Sequence, residues 1–236
     1  MKRFGLIGHP LGHSLSPALF EAAYGGRYPY DLIDGPDFDA AYSRFLESYD
    51  GVNVTMPFKE QAFLKADIAS PECRAIGAAN ILVKDGNGLV HAHNSDFLAV
   101  KALIPDDAET VLIVGFGGAG RAAYEAARSL GKDVTVVNRT KYFEKIVDFD
   151  VIIGKHYSII VDTLPVPAPQ LGLVESDYFL EANYLDPAYT GRKGYIPGTQ
   201  WLKMQAVKGY EILVGEAPEK EKIINLHIGS TTYINL

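Results

Sequence analysis

Four short polar strings interrupt an otherwise apolar pattern in the first hundred residues of this 236-residue chain. They are His13-Ser14-Leu15-Ser16, Asn53-Val54-Thr55-Met56-Pro57-Phe58-Lys59, Gly77-Ala78-Ala79-Asn80 and His93-Asn94-Ser95-Asp96. Each falls at the carboxyl end of an expected strand or just beyond it, the edge where open α/β sheets bind ligands. Two hydroxyls, Ser14 and Ser16, with helix-start N–H groups beside them, can hold a carboxylate. Thr55, Asn80 and Asp96 offer donors and acceptors to hydroxyl groups, and Lys59 can move a proton. Taken singly, each has a plainer reading: Ser14, Ser16, Asn94 and Asp96 as helix caps, and Lys59 as an exposed charge. Together, upstream of a glycine loop, they point to chemistry.

That loop is Gly115-Phe116-Gly117-Gly118-Ala119-Gly120, set between the apolar run Thr110-Val111-Leu112-Ile113-Val114 and an alanine-rich segment. A strand before and a helix after are the context that gives a G-x-G-x-x-G string its meaning. Glycine lets the backbone approach a diphosphate, and the free N–H groups of the following helix stabilise the anion. Gly115, Gly117, Gly118, Ala119 and Gly120 are therefore candidate dinucleotide contacts; the plainer alternative is a tight turn without a ligand. After the next strand, Asp133–Val137, stand Asn138-Arg139-Thr140-Lys141 rather than an acidic residue. A carboxylate there accepts from a free ribose hydroxyl, whereas a guanidinium pairs with a 2′-phosphate, so Asn138, Arg139 and Thr140 favour NADP over NAD.

The elements that must position these groups follow from pattern. Arg3–Gly8 and Gly51–Thr55 read as buried strands, and Asp85-Gly86-Asn87-Gly88 between Asn80–Lys84 and Leu89–Ala92 reads as a hairpin. Ser16-Pro17 opens a helix through Tyr24, with serine as the expected cap and proline as the first helical residue, and helical spacing runs from Lys59 to Leu64. Ala122, Ala123, Ala126, Ala127 and Leu130 share a helix face ending at Gly131. Shorter apolar runs recur at Val151–Ile153 and Ser158–Val161, the proline-rich Leu164–Pro169 must be loop, and a helix follows Gly198. These elements predict an α/β protein of two domains. Residues 1–100 with 198–236 form a mostly parallel substrate domain, residues 101–197 a shortened Rossmann-like dinucleotide domain, and the site lies between them.

Composition narrows the class. A net charge of −7, from 22 Lys and Arg against 29 Asp and Glu, argues against a sequence-tolerant nucleic-acid binder. No apolar run approaches the roughly 18–20 residues of a membrane span. The single cysteine, Cys73, and a start without a secretory leader fit a cytoplasmic protein. His91 and His93 alternate on an expected strand, and no metal is expected. The expected partners are small molecules, without nucleic acid or membrane, for a monomer or homodimer.

In order and spacing the clusters resemble the shikimate dehydrogenase family, in a short form. That family carries Ser-x-Ser near its start, Asn-Val-Thr-x-Pro-x-Lys, Gly-Ala-x-Asn-Thr, Asn-Thr-Asp, a glycine loop and Asn-Arg-Thr. The resemblance covers most of the first 140 residues. It resumes at Gly198-Thr199-Gln200-Trp201-Leu202-Lys203-Met204-Gln205-Ala206, similar to the family's Gly-x-x-Met-Leu-x-x-Gln-Ala. It implies that Lys59 and Asp96 are the catalytic pair and that Ser14 and Ser16 hold the substrate carboxylate. By the same resemblance Thr55, Asn80 and Gln205 bond ring hydroxyls, Tyr184 lines the pocket, and NADPH reduces 3-dehydroshikimate to shikimate in aromatic amino-acid biosynthesis. Two alternatives stay open: a quinate/shikimate dehydrogenase using NAD, and a non-catalytic shikimate-binding relative.

The chain departs from the pattern in places. Phe116 replaces alanine inside the glycine loop and Phe97 replaces the glycine after Asp96, so either ring threatens to plug the site. Val161-Asp162-Thr163 stands for the family's Asn-Ala-Thr beside the nicotinamide. Phe143 stands where a second basic residue clamps the 2′-phosphate, with Lys141 as the nearest substitute. The stretch from Thr140 to Val161 is also short, as if the cofactor half had lost an element.

Overall fold

Two six-stranded sheets, one from each half of the chain, make up a computed structural model that describes residues 1–141 and 143–228. The first is built from β1 (Phe4–Gly8), β2 (Tyr30–Asp34), β3 (Gly51–Val54), β4 (Ile68–Ala69), β5 (Ile81–Lys84) and β6 (Val90–His93). Its order is β2-β1-β3-β5-β6-β4. β1 pairs parallel with both β2 and β3, and the expected hairpin of β5 and β6 adds antiparallel pairs. The connections are α1 (Ser16–Tyr24), α2 (Phe38–Ser48), α3 (Lys59–Lys65) and α4 (Pro71–Ile76), and α5 (Ser95–Leu103) leads out of the sheet.

The second sheet contains β7 (Thr110–Val114), β8 (Asp133–Val137), β9 (Ile146–Val147), β10 (His156–Asp162), β11 (Glu175–Glu181) and β12 (Tyr195–Ile196). All pairs are parallel in the order β12-β11-β10-β7-β8-β9, the doubly wound order of dinucleotide-binding sheets. Between Ile104 and Pro197 the one α-helix among the described residues is α6 (Gly118–Ser129), whose Ala122, Ala123, Ala126 and Ala127 are fully buried. The opposite face carries single-turn 3₁₀ segments, Phe149–Val151 and Pro169–Leu173, in place of crossover helices. Ile152, Leu171 and Val174 from these turns bury Leu112, Val114 and Ile160 of the sheet. Val151–Ile153, expected as a strand-like run, is thus a turn. Gly154, at φ +74°, reverses the chain there, and of the three residues only Ile152 is buried.

After the second sheet the chain returns through α7 (Gly198–Val214) and α8 (Lys220–Asn225). Ala206, Val207, Tyr210 and Leu213 of α7 pack on Phe4, Leu19, Phe20 and Ile81 of the first half. Near its start, Trp201 packs instead with Val161 and Leu180 of the second sheet. One helix therefore touches both cores. Among the described residues no helix is long and apolar enough to cross a membrane.

α7 crosses close over the start of α5 because Gly209 has no side chain: a methyl group there would sit 2.8 Å from Ser95 Cβ and 2.9 Å from Ile81 Cδ1. Alanine in a helix is ordinarily worth roughly 0.5–1 kcal/mol over glycine, whereas overpacking a tight core costs about 1–3 kcal/mol. Gly209→Ala is accordingly expected to destabilise the protein by about 1–2 kcal/mol, read as a lower urea midpoint at unchanged slope.

Candidate active site

Where the carboxyl ends of the two sheets face each other lies a cleft of about 440 Å³. Ser14, Ser16, Thr55, Lys59, Asn80, Asp96, Tyr184 and Gln205 all line it. They come from separate loops, helix starts and the middle of the helix Gly198–Val214, so only the fold collects them. Neither Phe97 nor Phe116 is among the lining residues. Phe97 packs into the cores beside α5, with the Lys101 ammonium 5.8 Å from its ring centre, and Phe116 packs against Tyr124 and Phe143.

At the floor, Lys59 Nζ donates to Asp96 Oδ2 at 2.6 Å, with side chains 22% and 11% exposed. Lys59 opens α3 immediately after the Thr55-Met56-Pro57-Phe58 turn, and Asp96 sits in the first turn of α5. Asn94 caps α5, its Oδ1 accepting from Phe97 N at 3.1 Å, so the capping reading holds for Asn94 while Asp96 faces the lysine. The second carboxylate oxygen, Oδ1, accepts from Trp201 Nε1 at 3.2 Å. Sequence reasoning missed Trp201 as a partner of the pair, because the contact joins residues 105 apart.

Beside the pair, Asn80 Oδ1 accepts from Ser95 N at 2.7 Å, and Asn80 Nδ2 donates to Ser95 Oγ at 3.1 Å. Ser95 Oγ also lies 3.1 Å from Gln205 Oε1 and donates to it. Fully buried Ser95 thereby ties Asn80 on one sheet edge to Gln205 on α7. At the other end of the cleft the cap expected at Ser16 is displaced. α1 starts at Ser16, its N-cap is Leu15 without a side-chain bond, and Ser14 Oγ accepts from Ser16 N at 3.3 Å. With proline at the next position, the serine that reaches back over the helix start is Ser14. Tyr30, whose hydroxyl donates to Asn53 Oδ1 at 2.8 Å, supports this end, and burial pushes its phenol well above the ordinary range.

The glycine loop forms the opposite wall. Gly115 has φ +90° and Gly120 lies against it so closely that a Cβ would overlap the Gly115 carbonyl oxygen. A side chain at Gly117 would meet nothing within 4 Å, and one at Gly118 would lie 3.7 Å from Lys59 Cδ. α6 starts at Gly118 with no side-chain cap, leaving its first N–H groups to an anion. This cradle fits a dinucleotide diphosphate, and its Ala119 also lines the cleft. Beyond β8, Arg139 is exposed and Asn138 Nδ2 donates to Thr140 O at 2.9 Å. Lys141, the substitute for a second phosphate clamp, is instead paired with Asp148 at 2.6 Å. Phe143 joins Phe116 and Tyr124 in a ring cluster with centroids 5.1–5.6 Å apart. Among the described residues no group of three or more His, Cys, Asp or Glu is placed to hold a metal.

Asp162 ends β10 directly opposite Glu181 on β11, and both are nearly inaccessible. Glu181 accepts from Ala188 N, Tyr189 N and the Tyr195 hydroxyl. Asp162 accepts from Leu164 N at 3.1 Å, but burial pushes its carboxyl up to about 6.

The chain matches the family described as "Shikimate dehydrogenase substrate binding domain" over residues 6–82. It is 32% identical to "Shikimate dehydrogenase (NADP(+))" of Ignicoccus hospitalis across 93% of this chain and 92% of that protein. Among solved structures, shikimate 5-dehydrogenase of Thermus thermophilus in complex with shikimate superposes with a TM-score of 0.80 at 30% identity. That match covers 94% of this chain and 96% of the other. The same enzyme in complex with NADP(H) and shikimate gives a TM-score of 0.79 at 29% identity, covering 94% and 97%.

The raised Asp162 carboxyl sets a pH dependence. Its ionisation costs more in the fold than in the unfolded chain, so this group's contribution falls as pH rises from about 4 to about 6. Asp162→Asn, nearly isosteric and uncharged, is expected to stabilise the protein at pH 7 by roughly 1–3 kcal/mol, and to leave it unchanged at pH 4. Thermal melting of both proteins at the two pH values checks this.

Proposed function

The chain belongs to the shikimate dehydrogenase family, and on that premise we propose that it catalyses the reversible NADPH-dependent reduction of 3-dehydroshikimate to shikimate on the way to aromatic amino acids. The observation that carries this reading is the Lys59–Asp96 pair at the floor of a cleft whose far wall is the glycine loop. A module that only bound shikimate would need the hydroxyl and carboxylate contacts, but not an ammonium held by a carboxylate beside them. Residues 1–100 with 198–236 hold the substrate and residues 101–197 the dinucleotide; of these, 229–236 lie outside the described residues. An NADPH-consuming biosynthetic step and a single, buried cysteine support a cytoplasmic setting.

Ser14 and Ser16 hold the substrate carboxylate at one end of the cleft. Thr55, Asn80 and Gln205 bond the ring hydroxyls, with the last two held in register by Ser95. Tyr184 closes the pocket from the dinucleotide side. NADPH, when bound along Gly115, Gly117, Gly118, Ala119 and Gly120 with Arg139 on its 2′-phosphate, supplies the hydride. Lys59 donates a proton from Nζ to the ketone oxygen as negative charge develops there, and takes a replacement from solvent. Asp96 keeps that ammonium aimed. In the oxidative direction the same nitrogen receives the hydroxyl proton. Closing the cleft strengthens these interactions by excluding water.

The primary test is absorbance at the nicotinamide band with shikimate or quinate and with NADP or NAD. Turnover is expected with shikimate and NADP; faster turnover with quinate and NAD selects the sister activity, and no turnover with any pair overturns the reading. Lys59→Ala should lower kcat by about 10²–10⁴-fold while the shikimate KM stays within a few-fold. A large KM rise at unchanged kcat would instead assign Lys59 to binding. Arg139→Gln should raise the KM for NADP by roughly 10–100-fold, the scale of a lost charge-assisted contact, without moving the KM for shikimate.

A further inference from the structure

The indole of Trp201 has no part in the mechanism above, yet its Nε1–H donates to Asp96 Oδ1 at 3.2 Å in a buried contact. Asp96 thereby has one oxygen on Lys59 and the other on Trp201. The indole itself is 5% exposed, with one edge on the cleft and its body packed among Val161, Leu180 and Ala99. Nor is the helix that carries it free to shift. A Cβ on Gly198, at the start of α7, would lie 2.6 Å from Ala182 O and 2.7 Å from Glu181 O, so α7 begins hard against the end of β11. The donor is therefore fixed by the second sheet while its acceptor belongs to the catalytic pair.

We propose that Trp201 is a positioning residue for the reaction: its indole N–H fixes the rotation of the Asp96 carboxylate, and through it the direction in which Lys59 presents its proton. This deepens the dehydrogenase reading and rests on it. A carboxylate held by one bond can swing about its Cβ–Cγ axis. Held at both oxygens, it sets the Nζ position to within the tolerance proton transfer requires. The string Gly198-Thr199-Gln200-Trp201-Leu202 has tryptophan where the resembling family string has methionine, a side chain with no N–H to donate. The second bond to Asp96 is thus a feature of this chain's own residue.

Trp201→Phe keeps most of the packing and removes the donor. It is expected to lower kcat for shikimate oxidation by about 10–100-fold, the scale of a hydrogen bond to a charged group, with the shikimate KM changed less than about threefold. Unchanged kcat, or a loss confined to KM, overturns the proposal. If the wild-type protein turns over none of the substrates, the dehydrogenase reading fails instead, which is a separate result. A second measurement needs no activity and no folded Trp201 variant. Trp201 is the chain's only tryptophan, so an ¹⁵N-labelled sample gives one indole N–H resonance to follow. That resonance is expected downfield and slow to exchange with solvent in the wild type, and shifted upfield in Asp96→Asn. An indole signal at the free-indole position, or one that Asp96→Asn leaves in place, overturns the proposal.

Discussion

A half-buried ammonium and a more deeply buried carboxylate, 2.6 Å apart, form the contact on which the remaining arrangement depends. Taking both charges out of water is costly, and their mutual attraction offsets that cost only when geometry and surrounding hydrogen bonds are good. Such a pair is a poor source of stability and a good source of direction. Here the direction comes from two helix starts. Lys59 begins α3 and Asp96 lies one residue inside α5, so both backbones are held by their own first turns. Breaking either turn would leave the remaining charge at the cleft floor without its partner.

The chain's path explains why the pair sits between the sheets rather than within one. α5 leaves the first sheet, but its Ala99 and Val100 pack in the same core as β7, α6 and β10. α7 makes the reverse journey, starting against β11 and finishing on the first sheet. Two helices crossing in opposite senses, pressed together at Gly209 and Ser95, give the cleft a rigid floor. The walls above it are the Ser14–Ser16 loop on one side and the glycine loop, through Ala119, on the other. Arg121 of α6 also pairs with Glu60 of α3, so the helix at the glycine loop and the helix of Lys59 are tied directly.

Much of this is legible in the sequence because the signals are local. The strand, glycine loop and helix from Thr110 to Ser129 follow from a β-branched run, close-approach glycines and an alanine stripe. The hairpin announces itself through Asp85-Gly86-Asn87-Gly88, and all eight expected substrate-side residues line one cleft. β2, α2 and β11 escape such a reading: Tyr30-Asp31-Leu32-Ile33-Asp34 has only Ile33 buried, and Glu175–Glu181 begins and ends with acids. Edge position and paired carboxylates disguise both strands as surface. Neither serine is the cap of α1, because the backbone puts that position at Leu15, and Ser14 and Ser16 as equally good cap types give no sign of it. Ser95 and Trp201, which organise the site, lie 15 and 105 residues from partners that no spacing rule connects.

The cofactor half shows how far a doubly wound sheet can be reduced and still present its loop. Crossover helices normally cover both faces of a parallel sheet. One face here keeps α6, the helix whose start would meet the anion. The other is covered by 3₁₀ turns and by Tyr189 and Arg192, the guanidinium 4.6 Å from the Phe179 ring centre. The trimming spares the strands that lead into the glycine loop and its neighbours. β7, β8 and β10, the strands whose carboxyl ends carry the glycine loop, Asn138-Arg139 and Thr163, keep five to seven residues each, while β9 and β12 at the margins keep two. Central strands cannot be shortened without moving the loop, because Thr163 donates to Val114 O through both its amide and its hydroxyl and thereby locks the turn at Gly115. Among the described residues neither marginal strand, β9 nor β12, contributes a residue to the cleft.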